Sequence, residues 1–232
     1  MKILLAEEMR TADSALFSRI GVPSRAVMES AGREVAGFLL EQMPDLLGQG
    51  VLVLAGSGNN GGDGFVVART LLGQGVYVEM AAVKAVAELK GDALANALAY
   101  QNAGGRIVEL TPEHWFEAEC VRGISSFGVV VDALCGTGFH GQLQGFIGEL
   151  VDYLNTQAEV GNVAVVSIDL PSGVETDTGA VNGPAVSANA TIALQCLKPA
   201  HVCYPGAGYC GETFVADIGV CVQMPEIESV QR

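Results

Sequence analysis

Three glycine-rich stretches hold the residue types best suited to chemistry. The first runs Gly56-Ser57-Gly58-Asn59-Asn60-Gly61-Gly62-Asp63-Gly64, directly after the apolar run 51–54. Glycine lets the backbone take up left-handed conformations and approach a ligand closely, and the free N–H groups at the start of a following helix attract anions. Gly56, Gly58 and Gly61 fit the spacing G-x-G-x-x-G, and Glu79 stands roughly 20 residues on, where an acid that holds a ribose is expected. A dinucleotide or a related ligand is the first expectation. Asn59, Asn60 and Asp63 are nevertheless more than a plain dinucleotide turn needs, and a carboxylate beside a pyrophosphate repels it unless something offsets the charge.

The second stretch is Asp132-Ala-Leu-Cys-Gly136-Thr137-Gly138-Phe139-His140-Gly141-Gln142, and the third is Asp169-Leu-Pro-Ser172-Gly173. Each follows an apolar run that reads as a strand. Ligands bind beyond the carboxyl ends of the strands of an open parallel sheet, so the three stretches are expected to converge there. Taken singly, Asp132 or Asp169 could equally cap a helix or close an Asx-turn. Met together at successive strand ends, they point to a site. His114 reads as a surface residue and His140 as a weak candidate for substrate contact. Lys198, before Pro199 in a polar segment, reads as solvated.

These stretches need elements to position them. Helical spacing predicts one helix over 6–20 and a second to about Met43, both before the first strand. Strands are then expected over 51–54, 76–83, 106–109, 127–131 and 163–168, and short ones over 191–194 and 213–216. Helices are expected between them over 65–72, 90–103 and 146–156, and residues 198–211 as a loop. This alternation predicts an α/β fold: a Rossmann-like, doubly wound, mostly parallel sheet with helices on both faces and two leading helices. Residues 221–232 read as a flexible tail.

Composition narrows the class. The chain has 232 residues, half of them hydrophobic, with 30 glycines and only 16% charged, which suits one α/β domain over 1–232. A formal net charge of −14 with no Lys/Arg cluster argues against nucleic acid and anionic membranes as partners. The opening apolar run is broken by Glu7 and Glu8, too soon for a signal peptide, and no run of about 18 apolar residues occurs. A cytoplasmic protein is expected. The six cysteines form no C-x-x-C pair, so neither zinc nor a redox dithiol is indicated.

The combination of Asn-Asn-Gly-Gly-Asp-Gly, Val-Asp-Ala-Leu-Cys-Gly-Thr-Gly-Phe and Ile-Asp-Leu-Pro-Ser-Gly resembles the NAD(P)H-hydrate epimerases, the YjeF N-terminal domain family. The early Met-Arg-Thr-Ala-Asp and Val-Met-Glu-Ser-Ala-Gly-Arg segments resemble that family's leading helices, and the likeness runs from about Glu7 to Gly219. It implies an isomerase of metabolite repair that interconverts the R and S forms of hydrated NADH and NADPH, which carry a hydroxyl at C6 of the nicotinamide ring. A dehydratase specific for one epimer then restores the cofactor, and here it is expected as a separate chain, or absent. The resemblance places substrate contacts on Asn59, Asn60, Gly61, Gly62 and Asp63, on Gly136, Thr137, Gly138, Phe139, His140, Gly141 and Gln142, and on Asp169. It places one potassium ion per subunit on Asn60, Asp132 and Ser172, an all-oxygen set of low charge that suits a large, weakly hydrated cation. Asp169 is the candidate general acid/base, and a homodimer built on the leading helices is expected. Two rivals remain: a nicotinamide-dependent dehydrogenase using the same glycine turn, and a noncatalytic binding module on the same fold.

Overall fold

The computed structural model of the chain describes residues 2–220; the tail expected over residues 221–232 falls outside them. Seven strands, β1 (Val51–Ala55), β2 (Val78–Ala82), β3 (Ile107–Glu109), β4 (Val129–Ala133), β5 (Ala164–Ile168), β6 (Ala190–Leu194) and β7 (Glu212–Ala216), form one sheet in the order β3-β2-β1-β4-β5-β6-β7. Every strand pair is parallel. The chain winds outward from β1 to β3, returns across the sheet, and winds the other way from β4 to β7. The switch lies between β1 and β4, where such sheets open a crevice for ligands.

Alternation along the strands builds the two faces. Val51, Val53 and Ala55 of β1 join one core, while Leu52 and Leu54 join the other. All five residues are fully buried, and each Val or Leu removed from water contributes roughly 1.5–3 kcal/mol. On the first face lie α1 (Ala6–Ala15), α2 (Ser24–Gln42), α4 (Asn59–Gly73) and α5 (Gly91–Asn102); a single turn, α3 (Pro44–Leu47), links α2 to β1. On the second lie the short α6 (Glu119–Arg122) and α7 (Gly145–Gly161).

Both leading helices are present, though the first ends in a π-helical turn over Leu16–Ile20 and stops at Gly21, whose φ of +83° a side chain would resist. Helix α2 packs closely on α4 at Gly32, where a Cβ would lie 2.4 Å from that of Val66. The segment before α1 is strapped to the end of β6. Ile3 forms a parallel bridge with Leu197, Leu4 N donates to Leu197 O at 2.9 Å, and Cys196 Sγ meets Met9 Sδ at 3.4 Å.

Helix α4 departs from the sequence expectation. The apolar spacing predicts its start at Phe65, yet it begins at Asn59, so Asn59–Asp63 form its first turn rather than a loop. Glu79 is also displaced from its expected role. It is the second residue of β2, paired in register with Leu52 and bonded to the Tyr77 hydroxyl, so it lies at the amino end of the strand, away from the ligand edge. Among the described residues, no helix is long and apolar enough to cross a membrane.

Candidate active site

The end of β1 is a close-packed turn. A Cβ on Gly56 would lie 1.9 Å from Leu134 O, and one on Gly61 would lie 2.0 Å from Gly56 O. Glycine is required at both positions so that α4 can start against the ends of β1 and β4. Gly58, the residue before α4, has nothing within 4 Å of a hypothetical Cβ. No side chain caps this helix, and Gly62 N is the first to find a partner in the preceding turn, Gly58 O at 3.0 Å. The N–H groups of Asn59, Asn60 and Gly61 therefore form a bare, electropositive helix start.

Asp132, in β4, is fully buried. Its Oδ1 accepts the Ser172 hydroxyl at 2.6 Å and Leu134 N at 3.2 Å; its Oδ2 accepts the Ser167 hydroxyl and Ser172 N, both at 2.8 Å. All these donors are neutral. Burial raises the carboxyl above its usual range, and the hydrogen bonds from Ser172, Ser167 and Leu134 oppose that shift. The Leu134 contact is an Asx-type bond, so Asp132 closes a local turn and joins the site as well.

Cys135 links this network to α4. Its N–H donates to Ser172 Oγ at 2.8 Å, and its carbonyl accepts Asn60 Nδ2 at 2.8 Å. Among the described residues Asn60 Oδ1 has no donor, and a Cβ on Gly136 would approach it to 3.2 Å. Asn60, Asp132 and Ser172 thus form one connected set with a single carboxylate and no basic partner. Such a set fits a large monovalent cation in ligand chemistry and in charge. Among the described residues, no group of three or more His, Cys, Asp or Glu side chains could hold a metal ion, so the donor set is unlike that of zinc.

At the end of β5, Asp169 sits in a left-handed conformation, φ +65°, with Leu170 N donating back to Ile168 O at 2.8 Å. Such tight turns around a residue other than glycine are rare and cost on the order of 1–3 kcal/mol. Asp169 is 6% exposed, and its Oδ1 accepts Leu194 N at 3.1 Å and the Lys198 ammonium. Its Oδ2 has no protein partner among the described residues. Lys198 corrects the sequence reading of a solvated lysine: it is 1% exposed, and its Nζ also donates to Leu194 O at 2.8 Å. A buried ammonium is tolerated only when paired in this way.

Two more carboxyls face this pair. Burial, then the negative charges of Asp169 and Asp13, hold Asp63 well above the usual carboxylate range. Asp13, on α1, is pushed up to about 6 by burial, with Lys198 pulling it down and Asp169 pushing it up. Asp63 is thereby shifted toward its neutral form, which lessens the repulsion a carboxylate there would exert on an anionic ligand.

The second glycine-rich stretch divides. Gly136 touches Asn60, whereas Gly141 N donates to Glu175 Oε1 at 3.0 Å and Gln142 packs on Gly183. The Gly141 N–H, then the Thr178 hydroxyl, lower the Glu175 carboxyl. His140 is exposed, while Thr137 and Phe139 are half-buried. His114 is exposed, as its sequence context predicts, and bonds to Glu117 at 3.2 Å. A cleft of about 330 Å³ lined by Ser30, Arg33, Glu34, Asp217, Ile218 and Gly219 contains none of the site side chains. Sequence reasoning missed Lys198, Asp13 and His201; the available signal was a lysine between Leu197 and Ala200 just past a strand end.

Comparison with known proteins matches this arrangement to one family. The family described as YjeF-related protein N-terminus matches residues 24–200. A protein of Weissella koreensis named NAD(P)H-hydrate epimerase is 36% identical over 225 residues, covering 93% of this chain and 90% of its own. One of the same name from Pirellula staleyi is 34% identical, covering 91% of this chain and 89% of its own. A bifunctional NAD(P)H-hydrate repair enzyme of Moorella thermoacetica is 34% identical over 95% of this chain, which spans only 41% of that enzyme's length. The crystal structure of yeast ynu0, YNL200c, superposes with a TM-score of 0.74 at 23% identity over 86% of this chain and 82% of the yeast chain, which fixes the fold. With the family matched across the glycine turn, the Asp132 network and the Asp169 turn alike, the chain belongs to the YjeF-related protein N-terminus family.

Proposed function

We propose that this chain is an NAD(P)H-hydrate epimerase, an isomerase that interconverts the R and S forms of hydrated NADH and NADPH for a dehydratase. The observation that carries this reading is the free Oδ2 of Asp169, set beside Lys198 and Asp63 in a chain whose near-full-length relatives bear that name. The bare start of α4 suits the diphosphate, and the upward shift of the buried Asp63 carboxyl lessens the charge repulsion it would otherwise exert. Glu79 at the amino end of β2 speaks against a nicotinamide-dependent dehydrogenase, which needs its ribose-binding acid at the other end.

The chemistry follows from the substrate. The hydroxyl at C6 leaves as water once protonated, because the lone pair of the adjacent ring nitrogen stabilises the cation formed. Water then adds from the opposite face, gives up a proton, and the centre is inverted. Asp169 Oδ2 is the group placed to carry that proton. Asn60, Asp132 and Ser172 would hold a potassium ion, whose charge would balance Asp132 at the floor of the site.

The test follows the two epimers by chromatography with and without the protein. Interconversion is expected to accelerate, and Asp169→Asn to slow it by about 10²–10⁴-fold with little change in substrate binding. No acceleration by the wild-type protein would sink the reading; a full rate in the variant would remove the role of Asp169.

A further inference from the structure

The strand ends that carry Asp169 and Lys198 turn in the same unusual way. After β5, Leu170 N bonds to Ile168 O around Asp169 at φ +65°; after β6, Cys196 N bonds to Leu194 O, also at 2.8 Å, around Gln195 at φ +67°. Two strained turns of this kind need external restraint to stay in place. Beside the Asp169 carboxylate and the Lys198 ammonium, a third side chain, His201, reaches both segments. His201 Nδ1 accepts the backbone N–H of Lys198 at 2.8 Å, and its Nε2 lies 2.7 Å from Asp169 O.

These two contacts fix the tautomer. A carbonyl only accepts, so the ring proton sits on Nε2, and the Nδ1 lone pair is taken by the lysine amide. The ring is 7% exposed, and Asp169 and Lys198 are the charged groups facing it, with Asp13 and Asp63 behind them on α1 and α4. Burial lowers its pKa below the usual histidine value, which keeps it neutral.

We infer that His201 is the positioning residue of the Asp169–Lys198 pair: as a neutral Nε2–H imidazole it ties the lysine's backbone to the strained carbonyl of Asp169, and so fixes where Asp169 Oδ2 points. Protonation would place a second donor against the Lys198 N–H and release the clamp. The kinetic test rests on the epimerase reading, and the tautomer test does not.

Nitrogen-15 NMR of histidine-labelled protein, with the ring signals assigned by their loss in His201→Gln, is expected to show a Nε2–H tautomer at neutral pH. A charged or Nδ1–H ring would overturn the inference. His201→Leu is expected to lower kcat by about 10–100-fold with KM changed less than about threefold, because misplacing a reacting group costs rate more than binding. His201→Gln, which offers both an acceptor and a donor, should recover at least about tenfold of that loss, and the acid limb of the kcat profile should lose the wild-type histidine titration. Equal loss in both variants, or a wild-type rate in a folded His201→Leu protein, would overturn it. If the wild-type protein epimerises nothing, the functional reading falls alone. The NMR result then decides, together with the Lys198 Nζ signal of lysine-labelled protein, expected to be slowly exchanging in wild type and His201→Gln and lost in His201→Leu. Where His201→Leu fails to fold, the tautomer and the Gln variant's pH profile carry the decision.

Discussion

Three carboxyls surround one buried ammonium. Asp169 takes the direct contact with Lys198, and Asp63 and Asp13, left without it, are both raised above the usual carboxylate range, first by burial. Asp13 has a stability consequence of definite sign. Its carboxyl is raised from 3.8 to about 6 in the folded chain, so folding binds its proton more tightly than unfolding does. The contribution is fully present below about pH 4, declines as pH rises toward about 6, and is absent above that. Asp13→Asn should remove this decline. Its Tm should match wild type near pH 4 and exceed it above pH 6, by an amount equivalent to about 1–2 kcal/mol after discounting for partial exposure. Thermal melts of the two proteins from pH 4 to 7 provide the check.

At the scale of elements, the strand ends were legible and the helix start was not. Apolar runs ending in Asp132 and Asp169 gave the sheet, its winding and the edge where the site lies, because a strand buried on both faces leaves a continuous hydrophobic signature. The first turn of α4 was hidden because Asn and Gly are poor helix formers, and the packing of Gly56, Gly61 and Gly32 overrides their propensity. Lys198 was hidden for a different reason: its partner Asp169 lies 29 residues away, and the apolar residues beside it just past a strand end are only a faint mark of burial. The glycine turn can be tested directly. Gly61→Ala would drive a Cβ to 2.0 Å from Gly56 O, a backbone atom that cannot swing aside. A loss of about 1–3 kcal/mol is expected, seen as a Tm lower by several °C, with epimerisation falling further than stability because the start of α4 shifts. A variant as stable and as active as wild type would show that the turn relaxes freely.

For the whole molecule, the Asp132 network joins α4, β4 and the turn after β5, so an ion held by Asn60, Asp132 and Ser172 would brace both sides of the switch point. On that proposal, exchanging potassium for tetramethylammonium at equal ionic strength should lower Tm and slow epimerisation. An ion present at 100 times its dissociation constant adds about 2.7 kcal/mol. Unchanged melting and rate would count against the ion. The strap between the first residues and the end of β6 has a consequence of another kind. Ala6 N bonds to Asp177, 171 residues away, and the sulfur contact of Met9 with Cys196 spans 187. On the ribosome, at about 5–20 residues per second, the opening helix must wait on the order of 10–40 s for these partners to be made. Until then the strap is open and Asp13 has no Lys198 to face. The edge that carries the candidate site is consequently completed late in translation, although Asp13, which borders it, belongs to the first of the described helices to be synthesised.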